Sequence, residues 1–178
     1  MRKIALVLLV AGAIGIVVGV VWLVRDDGNG NGDSTRASAP VTSSSVPFLL
    51  RTSAASALFA SLTEAHVAVG GRCLRVVVAD DEPERVQGLR QRRDLGPYDG
   101  MLFVFDAPTQ TTFTMSTVPV ALEIGFYDAD GAPVSQRHMQ PCPHAEADCP
   151  SYSAGAAFTL ALETLGGKLP SGALSGCN

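Results

Sequence analysis

The chain has 178 residues with a formal net charge of −4, and 47% of its residues are hydrophobic. All 17 acidic residues lie from Asp26 onward with only 10 of the basic ones, so that part carries a net charge of −7. Because nucleic-acid phosphates need a basic surface, we expect no nucleic-acid partner. The composition also excludes collagen-like, coiled-coil and multispanning membrane proteins.

An uninterrupted apolar run at residues 4–24 predicts a membrane anchor within residues 1–25. Its 21 residues would span about 31 Å as a helix, close to the hydrocarbon thickness of a bilayer. Arg2 and Lys3 precede the run, and only Arg25 follows it closely. The positive-inside rule therefore predicts a single-pass cell-membrane protein with a cytoplasmic N-terminus and an extracytoplasmic C-terminal domain. A cleaved signal peptide is the alternative, although the only Ala-x-Ala site lies far downstream of the run.

Two further segments lie between the anchor and the main domain. Residues 26–45 are rich in Gly, Ser, Asp and Asn and cannot bury enough apolar surface to fold, which predicts a flexible linker. Residues 46–65 are rich in Ala with leucines at helical spacing, which predicts a short helix. Within the anchor, Gly15 and Gly19 form a G-x-x-x-G pattern, and on it we base the hypothesis of a homodimer.

Residues 66–178 form the predicted main domain, and its hydrophobic pattern is mostly that of β-strands. Gly70-Gly71 and the segment from Asp128 to Gly131 are typical turns between such strands. The predicted strands are residues 66–69, 72–79, 101–105, 112–116, 118–126, 133–139 and 158–162. The pattern therefore predicts a mainly β domain, a β-sandwich or partly open barrel, preceded by a single transmembrane helix.

One short helix interrupts the predicted strands. Asp81 and Glu84 stand at the spacing of a capping box, in which each side chain binds the other's backbone N–H. We expect this helix to run to about Arg92 and to bury Val86 and Leu89.

Five motifs follow one another in the main domain. They are V-V-V-A-D-D-E-P-E-R-V-Q-G-L-R (76–90), D-G-M-L-F-V-F (99–105), F-T-M-S-T-V-P-V-A-L-E-I-G-F (113–126), D-A-D-G (128–131) and M-Q-P-C-P (139–143). In order and spacing they resemble the bacterial and archaeal family called domain of unknown function 192. The resemblance implies a jelly-roll-like β-sandwich with one helix, often behind an export signal or anchor, and it leaves the biochemical activity open.

The chain departs from this family at two places. Members usually have Trp-Met-Lys-Asn where this chain has Thr114 to Thr117, and Pro-Leu-Asp where it has Ala121 to Glu123. If the family's Trp and Lys form a ligand platform, this chain lacks both the ring and the cation there. Its two added cysteine pairs are typical of an exported, membrane-anchored subgroup.

The four cysteines predict disulfide bonds, because an exported domain folds in an oxidising compartment. Three connectivities are open to four cysteines. Cys142 and Cys149 close a short loop and form the natural pair. Cys73 begins an early strand and Cys177 ends the chain, so that pairing them would tie the two ends of the domain together.

Two groups of polar residues are candidates for ligand binding. Thr112, Thr114 and Ser116 form a polar strip that alternates with Phe113 and Met115 along one predicted strand, and a polar partner such as an envelope glycan would suit it. Arg137 and His138 lie on a returning strand and could bind an anion. Phe113, Met115 and Met139 could instead line an apolar pocket, although core packing is their default interpretation.

Our main hypothesis is a non-enzymatic binding or interaction module of the cell envelope, held to the membrane through residues 4–24, with no cofactor or metal and with an envelope glycan or protein as partner. One alternative is a metal-assisted envelope hydrolase that uses His138, His144 and nearby carboxylates, for which His138, Cys142, His144 and Cys149 could form a tetrahedral metal site. Another is a structural or assembly factor that dimerises through its anchor. The chain contains no G-x-S-x-G, H-E-x-x-H, Walker or C-x-x-C motif.

Overall fold

In the computed structural model the described residues, 52–177, form a β-rich domain with one α-helix. The strands are β1 (Ser53–Ala54), β2 (Thr63–Val69), β3 (Arg72–Ala79), β4 (Gly100–Thr109), β5 (Phe113–Thr114), β6 (Leu122–Tyr127), β7 (Pro133–Met139), β8 (Ser151–Tyr152), β9 (Phe158–Leu165) and β10 (Leu174–Gly176). Helix α1 (Glu82–Gln87) lies between β3 and β4. The predicted mainly β class with one short helix is therefore confirmed.

The predicted anchor at residues 1–25, with Gly15 and Gly19, and the predicted linker at residues 26–45 lie outside the described residues. Over residues 52–177, no helix has the length and apolar character that a membrane crossing requires.

Eight of the described strands form one sheet, in the order β1-β2-β3-β4-β9-β6-β7, with β10 paired to β2. Strands β5 and β8 form a separate small ladder. The pair β3–β4 is parallel, and a parallel pair needs a crossover connection, which α1 and the segment after it supply. Strand β9 lies between β4 and β6 and pairs antiparallel with both.

Apolar side chains cover both faces of the central strands. One face carries an aromatic-rich cluster that includes Phe103, Phe126 and Phe158. The other carries a mainly aliphatic cluster that includes Leu102 and Leu160. Strands buried on both faces read as continuous apolar runs, which is why the run beginning at Met101 predicted a strand with two covered faces. That prediction is confirmed from Met101 to Val104.

Helix α1 begins as predicted and ends earlier than predicted. The side chain of Asp81 accepts from the Glu84 backbone N–H at 2.8 Å, and the Glu84 carboxylate accepts in return from the Asp81 N–H, so the capping box is present. The helix stops at Gln87 because Gly88 takes a φ of 46°, which a residue with a Cβ rarely adopts. Leu89 is buried as expected, but Val86 is 64% exposed, and its predicted burial is wrong.

The helix predicted over residues 46–65 is not formed in its described part. That part contains the two residues of β1, a 3₁₀ turn at Ala57–Phe59 and the start of β2. The Ala-rich composition is only a weak helix preference, and tertiary packing overrides it here. Phe59 is buried edge-on against the Tyr98 ring at 5.6 Å, and β2 gains hydrogen-bonded neighbours on both sides.

Both predicted disulfides are present. Cys73 at the start of β3 is bonded to Cys177 just after β10, across 104 residues of sequence. Cys142 is bonded to Cys149 across seven residues. The first bond ties the last described residue of the chain to the β2–β3 hairpin, and the second closes the loop that precedes β8.

We predict that removing the Cys73–Cys177 bond costs more stability than removing the Cys142–Cys149 bond. A cross-link restricts the unfolded chain more when it closes a longer loop, and the separations of 104 and seven residues correspond to about 4.7 and about 2.5 kcal/mol. The double variants Cys73→Ala/Cys177→Ala and Cys142→Ala/Cys149→Ala would be compared by urea unfolding. Equal losses, or the reverse order, would contradict the prediction.

Candidate functional site

A cavity of about 450 Å³ opens between helix α1, the outer half of β4 and the segment around β5. Its volume lies within the range of small-molecule sites. Residues from four regions line it, namely Glu82 with residues 85–90, then Phe103, Phe105 and Thr109 of β4, residues 111–114 with Val118, and the separate residues Glu146 and Glu163. Helix α1 and the loop before β5 thus cover a part of the aromatic-rich face of the sheet.

Phenylalanine rings form the apolar wall of the cavity. Phe103 and Phe113 meet edge to face with their centroids 5.1 Å apart, and Phe105 meets Phe158 in the same way at 5.5 Å. Phe113 also packs edge-on against Phe126 at 5.6 Å. Such edge-to-face pairs have defined geometry, so the wall is held in shape by the core behind it.

Glu163 is the buried carboxylic acid of the cavity lining, and we call the part of the cavity next to it the inner end. It lies in β9, opposite Met101 of β4 and Ile124 of β6, and only 4% of its surface is exposed. None of the described residues forms a hydrogen bond or an ion pair with its carboxyl group. Burial raises the pKa of Glu163 to about 8, because the charged form loses its hydration. The carboxyl is therefore mostly protonated at neutral pH.

The backbone at Glu163 is held close to β4 by a glycine. A Cβ at Gly100 would collide with the carbonyl oxygen of Glu163. Only a residue without a side chain allows the two strands to approach this closely. Gly100 thereby sets how closely the backbone of β9 approaches β4 beside the buried carboxyl group.

Two arginines line the cavity, and the protein itself supplies their partners. Arg85 of α1 donates to the carbonyl oxygens of Val104 and Asp80, and its guanidinium lies 5.1 Å from the centre of the Phe105 ring. Arg90 forms an ion pair with Glu146 at 2.8 Å. It also donates to backbone carbonyls of the helix segment and of the β5 segment.

The structure separates the predicted polar strip. Thr112 and Thr114 line the cavity together with Phe113, whereas Ser116 is 2% exposed and donates to the His144 carbonyl at 3.0 Å. The expected alternation is wrong here because β5 ends at Thr114, and Thr117 adopts a φ of 60° that turns the chain. Of the apolar pocket candidates, Phe113 lines the cavity, and Met115 and Met139 are wholly buried in the core.

Arg137 and His138 lie on β7, away from the residues that line the cavity. Arg137 donates to the Gln136 carbonyl at 2.9 Å, and His138 Nδ1 lies 2.8 Å from a carboxylate oxygen of Glu123 on β6. The structure does not bring this pair together with Thr112 and Thr114 into one site.

The proposed metal ligands of the hydrolase alternative are also not assembled. The sulfur atoms of Cys142 and Cys149 are bonded to each other. Between residues 52 and 177, no three potential ligands among His, Cys, Asp and Glu approach each other closely enough to share an ion.

Glu163 and the two arginines are among the cavity residues that sequence reasoning missed, together with Gln87 and Glu146. Glu163 lies in the segment F-T-L-A-L-E-T-L, where Phe158, Leu160 and Leu162 alternate with it and predict the buried face of a strand. A glutamate on the other face is typical of a solvent-facing position. The sequence did contain one signal of its burial. Glu163 is the only charged residue in a strand of apolar and small residues, and such a strand can be buried on both faces. Neither Arg85 nor Arg90 belongs to a pattern in the sequence that indicates a site.

Fold and cavity together define a β-rich domain with a helix-covered, ligand-sized cavity. The sequence pattern of domain of unknown function 192 (DUF192), described as Uncharacterized ACR, matches residues 65–173. The chain belongs to this family, which confirms the family resemblance; membership of an exported, membrane-anchored subgroup stays a prediction.

Two solved structures share the fold. A protein of unknown function from Novosphingobium aromaticivorans DSM 12444 is 24% identical, with a TM-score of 0.56 over 67% of this chain and 84% of that one. A protein from Sinorhizobium meliloti 1021, provisionally described as a transcription regulator, is 25% identical, with a TM-score of 0.53 over 62% of this chain and 90% of that one. No curated protein is significantly similar to the chain.

We predict that Glu163 makes the folded state less stable as the pH rises. Its pKa is about 8 in the folded chain and 4.5 in a solvated one, so between these values the folded chain retains a proton that the unfolded chain has lost. The stabilisation is complete below about pH 4.5 and is lost towards pH 8, by up to about 1.4 kcal/mol per pH unit. Urea unfolding at several pH values between 5 and 8 would measure this slope.

The variant Glu163→Gln is neutral at every pH, so we expect it to flatten this fall and to be more stable than the wild type at pH 8. Glu82→Gln, which removes an exposed carboxylate from the same cavity, is the matched control and should keep the wild-type slope. Parallel curves for the wild type and Glu163→Gln would contradict the prediction.

Proposed function

We propose that this chain is a non-enzymatic binding module of the cell envelope whose outer domain holds a small amphiphilic ligand in the cavity beneath helix α1. One observation carries the proposal, namely an aromatic-walled cavity of about 450 Å³ with a buried carboxyl group at its inner end. Recognition sites for small molecules typically combine an apolar lining with a few placed polar groups. In this cavity the rings of Phe103, Phe105 and Phe113 would contact the apolar body of the ligand.

The mouth of the cavity suits the polar part of such a ligand. Thr112 and Gln87 line the cavity and are exposed, and Thr114 is half-buried beside them. Hydroxyl and amide groups both donate and accept hydrogen bonds, so they suit a hydroxyl-rich or amide-rich partner such as a fragment of an envelope glycan. The proposed ligand thus keeps the polar character that the sequence suggested for the partner, and it also has an apolar part that contacts the rings.

The envelope location is the second part of the proposal. It is supported by the apolar run at residues 4–24 and by the two disulfides, which form and persist mainly in oxidising compartments. The net charge of −7 from Asp26 onward argues against carrying over the transcriptional role described for the Sinorhizobium protein, because DNA binding needs a basic surface.

Export predicts that the cysteines are already oxidised in living cells. Cells would be treated with a membrane-permeant alkylating agent before lysis, and the intact mass of the chain would then be measured. We expect a mass without alkyl groups that falls short of the fully reduced mass by two hydrogens for each disulfide. Alkylation of the four cysteines before any reduction would contradict the location.

The binding role predicts that filling the cavity abolishes ligand capture. Thr114→Trp places a large ring at a half-buried lining position, and His66→Trp, at an exposed position on β2, is the matched control. The full chain in a mild detergent would be screened against a fluorinated fragment library by ¹⁹F NMR. We expect fragments with an apolar body to bind the wild type and His66→Trp and to lose at least about tenfold in affinity to Thr114→Trp. Binding that is indifferent to Thr114→Trp would contradict the proposed site.

A further inference from the structure

The cavity contains one polar group that the described residues leave without a partner, and that group indicates the chemical class of the ligand. We propose that the cavity takes an organic cation, an amine or quaternary ammonium on an apolar body, with Glu163 as its counter-ion. This inference rests on the proposed function and specifies its ligand.

Burial of the Glu163 carboxyl group in the empty cavity costs free energy of folding. A buried carboxylate is tolerated only when hydrogen bonds or an opposite charge replace its lost hydration. The described part of the chain supplies neither, and burial alone raises the pKa of Glu163 to about 8. A ligand cation that reaches the inner end of the cavity would provide the missing charge.

The wall of the cavity favours the same kind of ligand. The faces of aromatic rings carry negative potential and attract ammonium groups that lie within about 6 Å of the ring centre. Phe103, Phe105 and Phe113 all line the cavity that Glu163 closes. Arg85 already lies against Phe105 at 5.1 Å, so one ring of the wall has a cation on it in the protein itself.

The other charges around the cavity are compatible with a cationic ligand. The positive charge of Arg90 is paired with Glu146 at 2.8 Å, and Arg85 is held by two backbone carbonyls. Glu82 adds a further negative charge at an exposed position of the lining. A ligand anion would find no counter-ion in Glu163, whose carboxyl group is either neutral or negative.

Binding of a cation should change the protonation of Glu163. Near neutral pH Glu163 is mostly protonated, and a cation beside it favours the charged form, so binding releases a proton. The affinity should therefore rise between pH 6 and pH 8 by up to about tenfold per pH unit. The other charged residues that line the cavity are Glu82, Arg85, Arg90 and Glu146, and the lining as described contains no histidine.

The test is isothermal titration calorimetry on the full chain in a mild detergent, with three probes of similar shape. Benzyltrimethylammonium carries a permanent positive charge, benzyl alcohol is neutral and phenylacetate is negative. Each would be titrated into the wild type, Glu163→Gln, Glu82→Gln and Thr114→Trp at pH 6, 7 and 8. Two buffers with different heats of ionisation would give the number of protons released.

We expect the ammonium probe to bind best and to bind more tightly as the pH rises. It should release close to one proton per site near pH 7 and fewer at pH 8, because about half of the Glu163 carboxyls have already lost their proton there. In Glu163→Gln the proton release and the pH dependence should vanish, and the affinity at pH 8 should fall by about tenfold or more. Benzyl alcohol should bind the wild type and Glu163→Gln alike. Glu82→Gln should retain the proton release, since Glu82 is exposed.

Two results would overturn the inference and leave the binding role standing. One is tighter binding of benzyl alcohol or phenylacetate than of the ammonium probe, with Thr114→Trp still blocking it. The other is ammonium binding that Glu163→Gln leaves unchanged. If no probe and no library fragment binds the wild type, the proposed function fails as well.

Discussion

Strand β9 has neighbours on both sides and apolar clusters on both faces, and this burial constrains the rest of the domain. Every side chain from Phe158 to Thr164 is buried. Such a strand should be apolar throughout, yet Glu163 and Thr164 are adjacent polar residues in it. The hydroxyl oxygen of Thr164 has no hydrogen-bond partner. The strand that anchors the core thus also holds two neighbouring polar side chains to which the described residues give no hydrogen bond, and Glu163, one of the two, lines the cavity.

The elements predicted best from sequence are those that local chemistry determines. The β2–β3 hairpin follows from Gly70 and Gly71, which both adopt a positive φ. Helix α1 begins where its capping box indicates, and the cysteine pairs follow from loop length and position in the chain. The elements predicted poorly depend on distant contacts. The length of α1 is set by a single glycine, and the segment before β2 is set by the packing of Phe59 on Tyr98.

The candidate site was predictable from sequence only where a local pattern indicates it. Thr112, Thr114 and Phe113 were identified because they alternate along the chain, although β5 is too short to keep them on separate faces. Glu163 could not be identified by periodicity, because its burial depends on α1 and on the segment before β5, both far from it in sequence. The family resemblance implies a Trp at the position of Thr114. Because Thr114 lines the cavity, the smaller side chain leaves room where the ring would stand.

The close approach of β4 to β9 at Gly100 constrains one part of the cavity more than the other in how its residues can change during evolution. Any substitution of Gly100 would push against the carbonyl of Glu163, so the backbone at the inner end of the cavity is fixed. The exposed residues at the mouth, such as Thr112 and Gln87, pack against little and can be exchanged at small cost in stability. Relatives with this backbone could therefore differ in the outer portion of the molecule they select and still share the same backbone geometry at the buried end.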